Sequence, residues 1–468
     1  MHIRNPRTGQ ADYTISPPNP AQITDLVNQF RLAQIDWLAL GVEGRVEAMQ
    51  AWKNALERYK EAIIDALTTD TGRRNETLLE LDVVLKSIDR WCGIARQFFA
   101  PPSQRVSSIP FISIEQDLVP YAVVGVISPW NFPLLLSVID TIPALLAGCA
   151  VVVKPSEVTP RFIRPLLQTI AEVPALAKVF TYLEGAGETG AALVESCDLI
   201  CFTGSTATGK RVYKQASERF VPVFLELGGK DAALVFEGAD LDRASSALLW
   251  GSVVNTGQSC LSIERIYVQD TIYEEFVKRL IDKTEEIKLA YPTVSDGHLG
   301  PVISDKQVDI INEHLVDAIA KGAILQTGEP GCVKLGGGHY CRPTVLTNVN
   351  HSMKVMTDET FGPVMPIMPF RDEDEAIALA NGTIYGLSGA VFAGNTEEAI
   401  RIARRMQCGA VSINDAALTA IMHEGEKNSF KLSGIGGTRM GPSAIKRFMR
   451  QKAYLIKTAG IPSPWWFG

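Results

Sequence analysis

Between positions 121 and 225 the chain repeats one pattern: a short, continuously apolar run rich in β-branched residues, then a stretch with helical spacing, then another such run. The runs fall at 122–127, 150–153, 179–183, 199–202 and 221–225. Each is too short for a helix and lacks the alternation of a strand with one wet face. Each therefore reads as a strand buried on both sides in a parallel sheet, with crossover helices between. After Gly229 the alternation resumes, with strands at 232–236 and 265–268 and helices at 273–288 and 306–321. The expected fold class is α/β, with two such units.

The remaining segments are arranged around these units. Positions 21–100 carry apolar residues at spacings of three and four, as in Met49-Trp52-Leu56 and Leu78-Leu81-Leu85-Ile88, and read as scaffold helices. Pro101-Pro102 ends them, and 106–119 alternates like an exposed hairpin whose clearest strand is 111–116. The segment 328–343, with Gly336-Gly337-Gly338, reads as a surface loop; no lysine or hydroxyl follows the glycines as a phosphate-binding loop needs. A helix is expected at 443–451 and a strand at 453–457, followed by Pro462-Ser463-Pro464-Trp465-Trp466-Phe467, whose clustered aromatics should pack on a neighbouring subunit rather than on a membrane.

Composition excludes several function classes. At 468 residues the chain is too long for one simple core, so two large domains are expected. A net charge of −7 with no Lys/Arg block argues against a nucleic-acid partner. Eight irregularly spaced cysteines and six scattered histidines suit neither a disulfide framework nor a zinc site, and Cys197 and Cys201 read as small residues flanking a buried strand. The first residues lack a secretory leader's apolar core, so a reducing cytoplasm is the expected location. The longest apolar run, 134–153, is interrupted by Asp140, Pro143 and Gly148, which disfavours a membrane span.

Three short motifs carry the chemistry. Asn255-Thr256-Gly257-Gln258-Ser259-Cys260-Leu261 sets a cysteine after a small polar loop that permits close approach of a substrate, so Cys260 is the candidate nucleophile. Leu225-Glu226-Leu227-Gly228-Gly229-Lys230 holds one carboxylate among apolar neighbours, a candidate base. Pro129-Trp130-Asn131-Phe132-Pro133 fixes an amide donor between prolines. Taken singly, these would read as a structural cysteine, a strand-end ion pair and a turn residue. Together, a thiol, a base and an amide donor are the parts of acyl-type covalent catalysis.

These motifs, with Lys154-Pro155-Ser156-Glu157, Phe202-Thr203-Gly204-Ser205-Thr206, Gly300-Pro301, Glu359-Thr360-Phe361-Gly362-Pro363 and Lys431-Leu432-Ser433-Gly434 in this order, make the chain resemble the aldehyde dehydrogenase superfamily across most of its length. The resemblance implies two Rossmann-like α/β domains and a small β oligomerisation arm. The NAD-binding domain would be 1–100 with 122–228, the catalytic domain 229–432, and the arm and tail 101–121 and 452–468. It further implies a homodimer or homotetramer acting on a small aldehyde, with no metal.

By the same resemblance, Cys260 attacks the aldehyde, the Asn131 amide and the Cys260 N–H stabilise the oxyanion, and Glu226 activates water against the thioester. Among the cofactor residues, Trp130, Lys154, Ser156 and Glu157 lie near one strand end, Gly204, Ser205 and Gly209 would face the pyrophosphate, Glu359 holds the nicotinamide ribose and Phe361 packs near the ring. A reader of the glycine pattern alone would choose Gly185-Ala186-Gly187-Glu188-Thr189-Gly190 for the pyrophosphate instead. Glu157 favours NAD by accepting from a 2′-hydroxyl and repelling a 2′-phosphate, while the charge of Lys154 leaves NADP open. The positions matching the substrate tunnel are Leu135, Leu136, Ile139, Val254 and Leu261, all aliphatic, which points to apolar aliphatic or aromatic aldehydes.

One departure stands out. Where many relatives have Pro-Phe-Gly-Gly, this chain has His423-Glu424-Gly425-Glu426-Lys427-Asn428-Ser429-Phe430, which unsettles any transferred substrate specificity. Release of the thioester to coenzyme A is an alternative, opposed by the presence of Glu226, which such relatives generally lack. A non-catalytic protein retaining the fold is another, opposed by the intact Cys260, Asn131 and Glu226.

Overall fold

The computed structural model describes residues 1–99, 105–109 and 111–457. Pro101-Pro102 and the Trp465-Trp466-Phe467 tail lie outside the described residues.

Two parallel sheets meet edge to edge. In the first, Val123–Ile127 occupies the middle, Ala150–Lys154 and Phe180–Tyr182 extend to one side, and Leu199–Thr203 and Val223–Glu226 extend to the other. Five parallel strands thus reverse their order between Val123–Ile127 and Leu199–Thr203, which opens a crevice at the carboxyl ends Ile127 and Thr203. The sixth strand, Gly434–Ile435, is antiparallel and pairs with Leu225 and Glu226. Every residue of Val123–Ile127, Ala150–Lys154 and Leu199–Thr203 is buried, as expected of strands covered on both faces.

The second sheet runs in the order Ile324–Leu325, Thr344–Thr347, Val364–Phe370, Ile263–Gln269, Asp231–Val235, Ser388–Phe392 and Ala410–Ile413, parallel except for the first. Its strands alternate between two cores: Ala232 and Leu234 face one, Ala233 and Val235 the other. Because only four residues, 227–230, separate Val223–Glu226 from Asp231–Val235, the carboxyl edge of the first sheet faces the amino edge of the second. The site forms along that seam.

The helices Pro20–Ala39, Gly41–Arg58, Lys60–Thr71 and Asn75–Phe98 bury Val27, Trp37, Trp52, Leu56, Leu67 and Leu81 in the core around the first sheet. Two readings need correction. The segment 328–343 is no plain loop: Val333–Leu335 pairs with Gly338–Tyr340 across Gly336 and Gly337, whose φ of 59° and 97° build the primed turn that glycines supply. The expected helix at 443–451 is a 3₁₀ segment, Pro442–Phe448, and the strand begins at Met449, because Met449–Lys457 pairs along its full length with Ile112–Pro120. That pairing overrides the local helical spacing.

Cys201 lies inside strand Leu199–Thr203 rather than beside it, while Cys197 follows helix Gly187–Ser196; both are buried. The apolar run 134–153 divides into Pro133–Val138, Thr141–Ala147 and Ala150–Lys154, and no helix among the described residues is long and apolar enough to cross a membrane. An N-terminal hairpin, His2–Arg4 with Ala11–Thr14, carries no strong alternation in sequence. It ties the units together: Arg4 pairs with Asp305 at 3.1 Å, and Asp12 pairs with Arg161.

Candidate active site

A cavity of about 740 Å³ runs along the seam, and Cys260, Asn131 and Glu226 all line it. Cys260 follows helix Leu241–Val253 and a tight 3₁₀ turn, Val254–Gly257. Within that turn Asn255 and Thr256 hold φ of 55° and 58°, a left-handed conformation that costs of order 1–3 kcal/mol for a β-branched residue. The next residue must be glycine: a Cβ on Gly257 would lie 2.2 Å from the Gly362 carbonyl. Side chains hold the turn. Thr256 Oγ1 donates to Gly300 O (2.9 Å), Gln258 Nε2 to Asn255 O (2.9 Å), and Ile303 N–H to Gln258 Oε1 (2.9 Å).

Asn131 is pinned to this turn. Its amide donates to the Gln258 carbonyl at 2.9 Å, and the Asn255 amide donates to the same carbonyl at 2.9 Å and to Asn131 O at 3.0 Å. Behind it stands a buried ion pair: Arg73 Nη2 lies 3.0 Å from Glu80 and 2.6 Å from Asn131 O. Glu80 Oε2 in turn accepts from Leu134 N–H (3.1 Å) and Leu135 N–H (3.0 Å), and the guanidinium stacks 4.6 Å above the Phe132 ring. Residues 131–135 are thereby fixed at both ends.

Glu226 ends its strand between buried Leu225 and Leu227, is itself half-buried, and accepts a hydrogen bond from Ser429 Oγ at 3.1 Å. Burial pushes the Cys260 thiol up to about 12; the Lys427 ammonium is the strongest charge opposing this, while Glu359, Asp231 and Glu226 add to it. Both Lys427 and Ser429 belong to the divergent loop.

The cofactor candidates spread along the same cavity, which Trp130, Lys154, Ser156, Glu157, Gly204, Ser205, Glu359 and Phe361 also line. Lys154, buried at the end of its strand, pairs with Glu157 at 3.4 Å; burial lowers its pKa and Glu157 partly restores it. Ser205 caps helix Thr206–Ser217, accepting from Thr208 N–H. Gly209 stands apart from the lining. Its missing Cβ, which would lie 2.5 Å from Leu227 Cδ2, lets that helix pack beside the Glu226 strand. Gly187 and Gly190 of the other glycine pattern line the same cavity.

Trp130 and Phe361 meet edge to face at 5.5 Å. Glu359 accepts from Gly229 N–H at 3.0 Å and is pushed by burial to about 8, with nearby Glu264 adding to the shift. Of the five aliphatic substrate candidates, all half-buried, Leu136 lines the cavity, whereas Leu135, Ile139, Val254 and Leu261 do not border it.

The model of the aldehyde dehydrogenase family matches residues 1–454. This chain belongs to the aldehyde dehydrogenase family. The solved structure of aldehyde dehydrogenase PutA from Anabaena variabilis is 58% identical, covers 100% of both chains and superposes with a TM-score of 0.98. A 4,4'-diapolycopene aldehyde oxidase of Methylomonas sp is 36% identical over 457 residues, spanning 96% of this chain and 84% of the relative. A Mycobacterium bovis relative whose name reads succinate-semialdehyde dehydrogenase [NADP(+)] 2 is 34% identical over 476 residues, spanning 98% of this chain and 90% of its own.

Sequence reasoning assigned no role to the supports of this dehydrogenase's site. Lys230 Nζ bonds Glu264 at 2.6 Å and Thr360 Oγ1 at 3.0 Å, and Glu264 accepts from Thr360 N–H (2.7 Å) and Phe361 N–H (2.8 Å), which seats the Glu359-Thr360-Phe361 segment. A signal existed: Glu264 and Arg265 are charged residues inside a buried strand. Arg73 and Glu80, far from Asn131 in sequence, gave none.

Proposed function

We propose that this enzyme oxidises an aldehyde to a carboxylic acid through a covalent adduct on Cys260. The observation carrying this reading is that a thiol, an amide donor and a carboxylate, from segments far apart in sequence, line one cavity.

In this reading the Cys260 thiol loses its proton to solvent water and the thiolate attacks the carbonyl carbon. The Asn131 amide and the Cys260 N–H donate to the oxygen as it becomes negative; removing one such donor costs roughly 10²–10³-fold in rate. Loss of hydride leaves a thioester on Cys260. Glu226 then takes the proton of the water that attacks it, and the acid departs.

The residues suit a nicotinamide dinucleotide. A helix start capped by Ser205 borders the cavity, its free N–H groups suited to phosphates. The glycine at 228 leaves room for the Glu359 carboxylate, which a Cβ would approach to 2.4 Å. Lys154 and Glu157 would hold the adenosine ribose, Ser156 and Gly204 flank them, and Glu359, Phe361 and Trp130 would hold the nicotinamide end. Such a group supplies the hydride acceptor when bound. Glu157 favours NAD, with NADP the alternative that the mycobacterial relative's name carries.

Leu136, the aliphatic candidate that borders the cavity, supports apolar aliphatic or aromatic aldehydes, in line with the Methylomonas relative's name rather than the mycobacterial one. We place the cofactor-binding domain at 1–100 with 122–228 and the catalytic domain at 229–432. Residues 434–449 join the first domain, since Ala444, Ile445 and Phe448 pack in its core. The arm built from Ile112–Pro120 and Met449–Lys457, with Leu455 73% exposed, would serve a homodimer or homotetramer.

NADH absorbance with an aldehyde panel, with and without coenzyme A, tests the reading. Turnover of medium-chain apolar aldehydes independent of coenzyme A supports it. A coenzyme A requirement, or a higher kcat/KM for succinate semialdehyde or betaine aldehyde, contradicts it.

A further inference from the structure

The hairpin Val333–Leu335/Gly338–Tyr340 is bracketed by two cysteines. Its register pairs Val333 with Tyr340, Lys334 with His339 and Leu335 with Gly338, so Cys332 and Cys341 are the next facing pair. Parity fixes the kind of pair. Across a two-residue turn the flanking residues exchange hydrogen bonds, and the pattern alternates from there, making 334/339 and 332/341 non-hydrogen-bonded sites. Two outward-pointing groups agree with this: the His339 carbonyl accepts from Val302 N–H at 2.8 Å, and Cys332 N–H donates to Asn312 Oδ1 at 2.8 Å. At such sites the Cα atoms lie about 4.5 Å apart, within the about 4.4–6.8 Å that a disulfide spans.

Both thiols are free; Cys341 is buried in the core and Cys332 is half-buried against it. The neighbouring Cys332 thiol, and then burial, raise the Cys341 pKa, in keeping with the facing positions that the register gives them. Cys332 is thus the sulfur an oxidant reaches first, with Cys341 positioned behind it.

We propose that Cys332 and Cys341 form a peroxide-responsive dithiol that closes to an intramolecular disulfide across this hairpin. The Cys332 sulfur attacks a peroxide oxygen, breaking the O–O bond and giving a sulfenic acid and, from hydrogen peroxide, one water. The Cys341 sulfur then attacks the sulfenic sulfur and a second water leaves. In sum, two thiols and one hydrogen peroxide give one disulfide and two waters, and a thiol reductant reverses the change.

Trypsin separates the two cysteines, because Lys334 lies between them: Cys332 falls in peptide 322–334 and Cys341 in the peptide beginning at 335. The native enzyme is exposed to hydrogen peroxide, quenched, alkylated with iodoacetamide under denaturing conditions, digested without reductant and mapped by mass spectrometry. The expected result is a joined species of these two peptides, two hydrogens lighter than their sum, released by dithiothreitol and lost in Cys332→Ser. Recovery of both cysteines singly alkylated after peroxide, joining of either to a different cysteine, or joining only when oxidation is done in denaturant would each overturn the proposal. The wild-type map decides without relying on a variant's folding.

Discussion

Ser429 Oγ donates to Glu226 Oε2 at 3.1 Å, so a residue of the divergent 423–430 loop holds the carboxylate that ends the last parallel strand of the first sheet. The loop is itself tied down: Lys427 N–H donates to Thr438 Oγ1 at 3.0 Å, and Gly441 N–H to the His423 carbonyl at 3.0 Å. Replacing Ser429 with Ala releases the carboxylate from this partner. A hydrogen bond to a charged group contributes about 1.5 kcal/mol or more, so steady turnover should fall roughly tenfold. The early burst of NADH should be retained, and Ser429→Thr should recover most of the loss. Equal loss of burst and turnover in stopped-flow absorbance would assign Ser429 to the thiol step instead.

With its thiol pushed up to about 12, Cys260 should be slow to alkylate in the free enzyme at neutral pH. Only the thiolate reacts, so the iodoacetamide rate should keep rising about tenfold per pH unit well beyond about 8.5, where an ordinary cysteine levels off. Lys427→Met removes the cation that most favours the thiolate and should slow alkylation further. A plateau near 8.5 contradicts the burial argument.

Much of the fold was legible because the parallel strands are short, β-branched and buried on both faces, a signature independent of tertiary partners. The catalytic candidates were legible because each lies in a local motif of unusual chemistry. What escaped was set at long range. The early start of strand Met449–Lys457, which cuts the helical spacing short, is dictated by pairing with Ile112–Pro120, more than three hundred residues away. The Gly336-Gly337 turn was visible as glycine but not as a hairpin, since its strands are only three residues each. Arg73, Glu80 and Ser429 acquire meaning only when the fold brings them to Asn131 and Glu226.

The Arg73–Glu80 pair should matter twice. With side chains 4% and 1% exposed, removing one partner leaves an uncompensated buried charge, which costs roughly 3–5 kcal/mol. Arg73→Met should therefore lower the Tm, and by loosening the Asn131 segment it should also lower kcat. Arg73→Lys should restore more of the stability than of kcat, because a lysine replaces the charge without the planar fork. Stability lost with kcat per folded enzyme unchanged would make the pair purely structural.

Glu157 sets the cofactor preference in this account. Wild type should favour NAD, and Glu157→Ser should narrow the NAD/NADP ratio of kcat/KM by relieving repulsion of the 2′-phosphate. A wild-type preference for NADP, or an unchanged ratio in the variant, contradicts the role given to this carboxylate.

The central claim is that Cys260 carries an acyl group which Glu226 helps water to remove, and rapid-mixing absorbance on Glu226→Gln tests it most directly. Glutamine preserves size and can still meet Ser429, but it cannot take a proton. A burst of NADH close to one per active site should remain while steady turnover falls by roughly 10²–10⁴-fold, the usual contribution of a general base. An unchanged steady rate would remove Glu226 from the mechanism, and loss of the burst together with turnover would move it from deacylation to activation of the thiol.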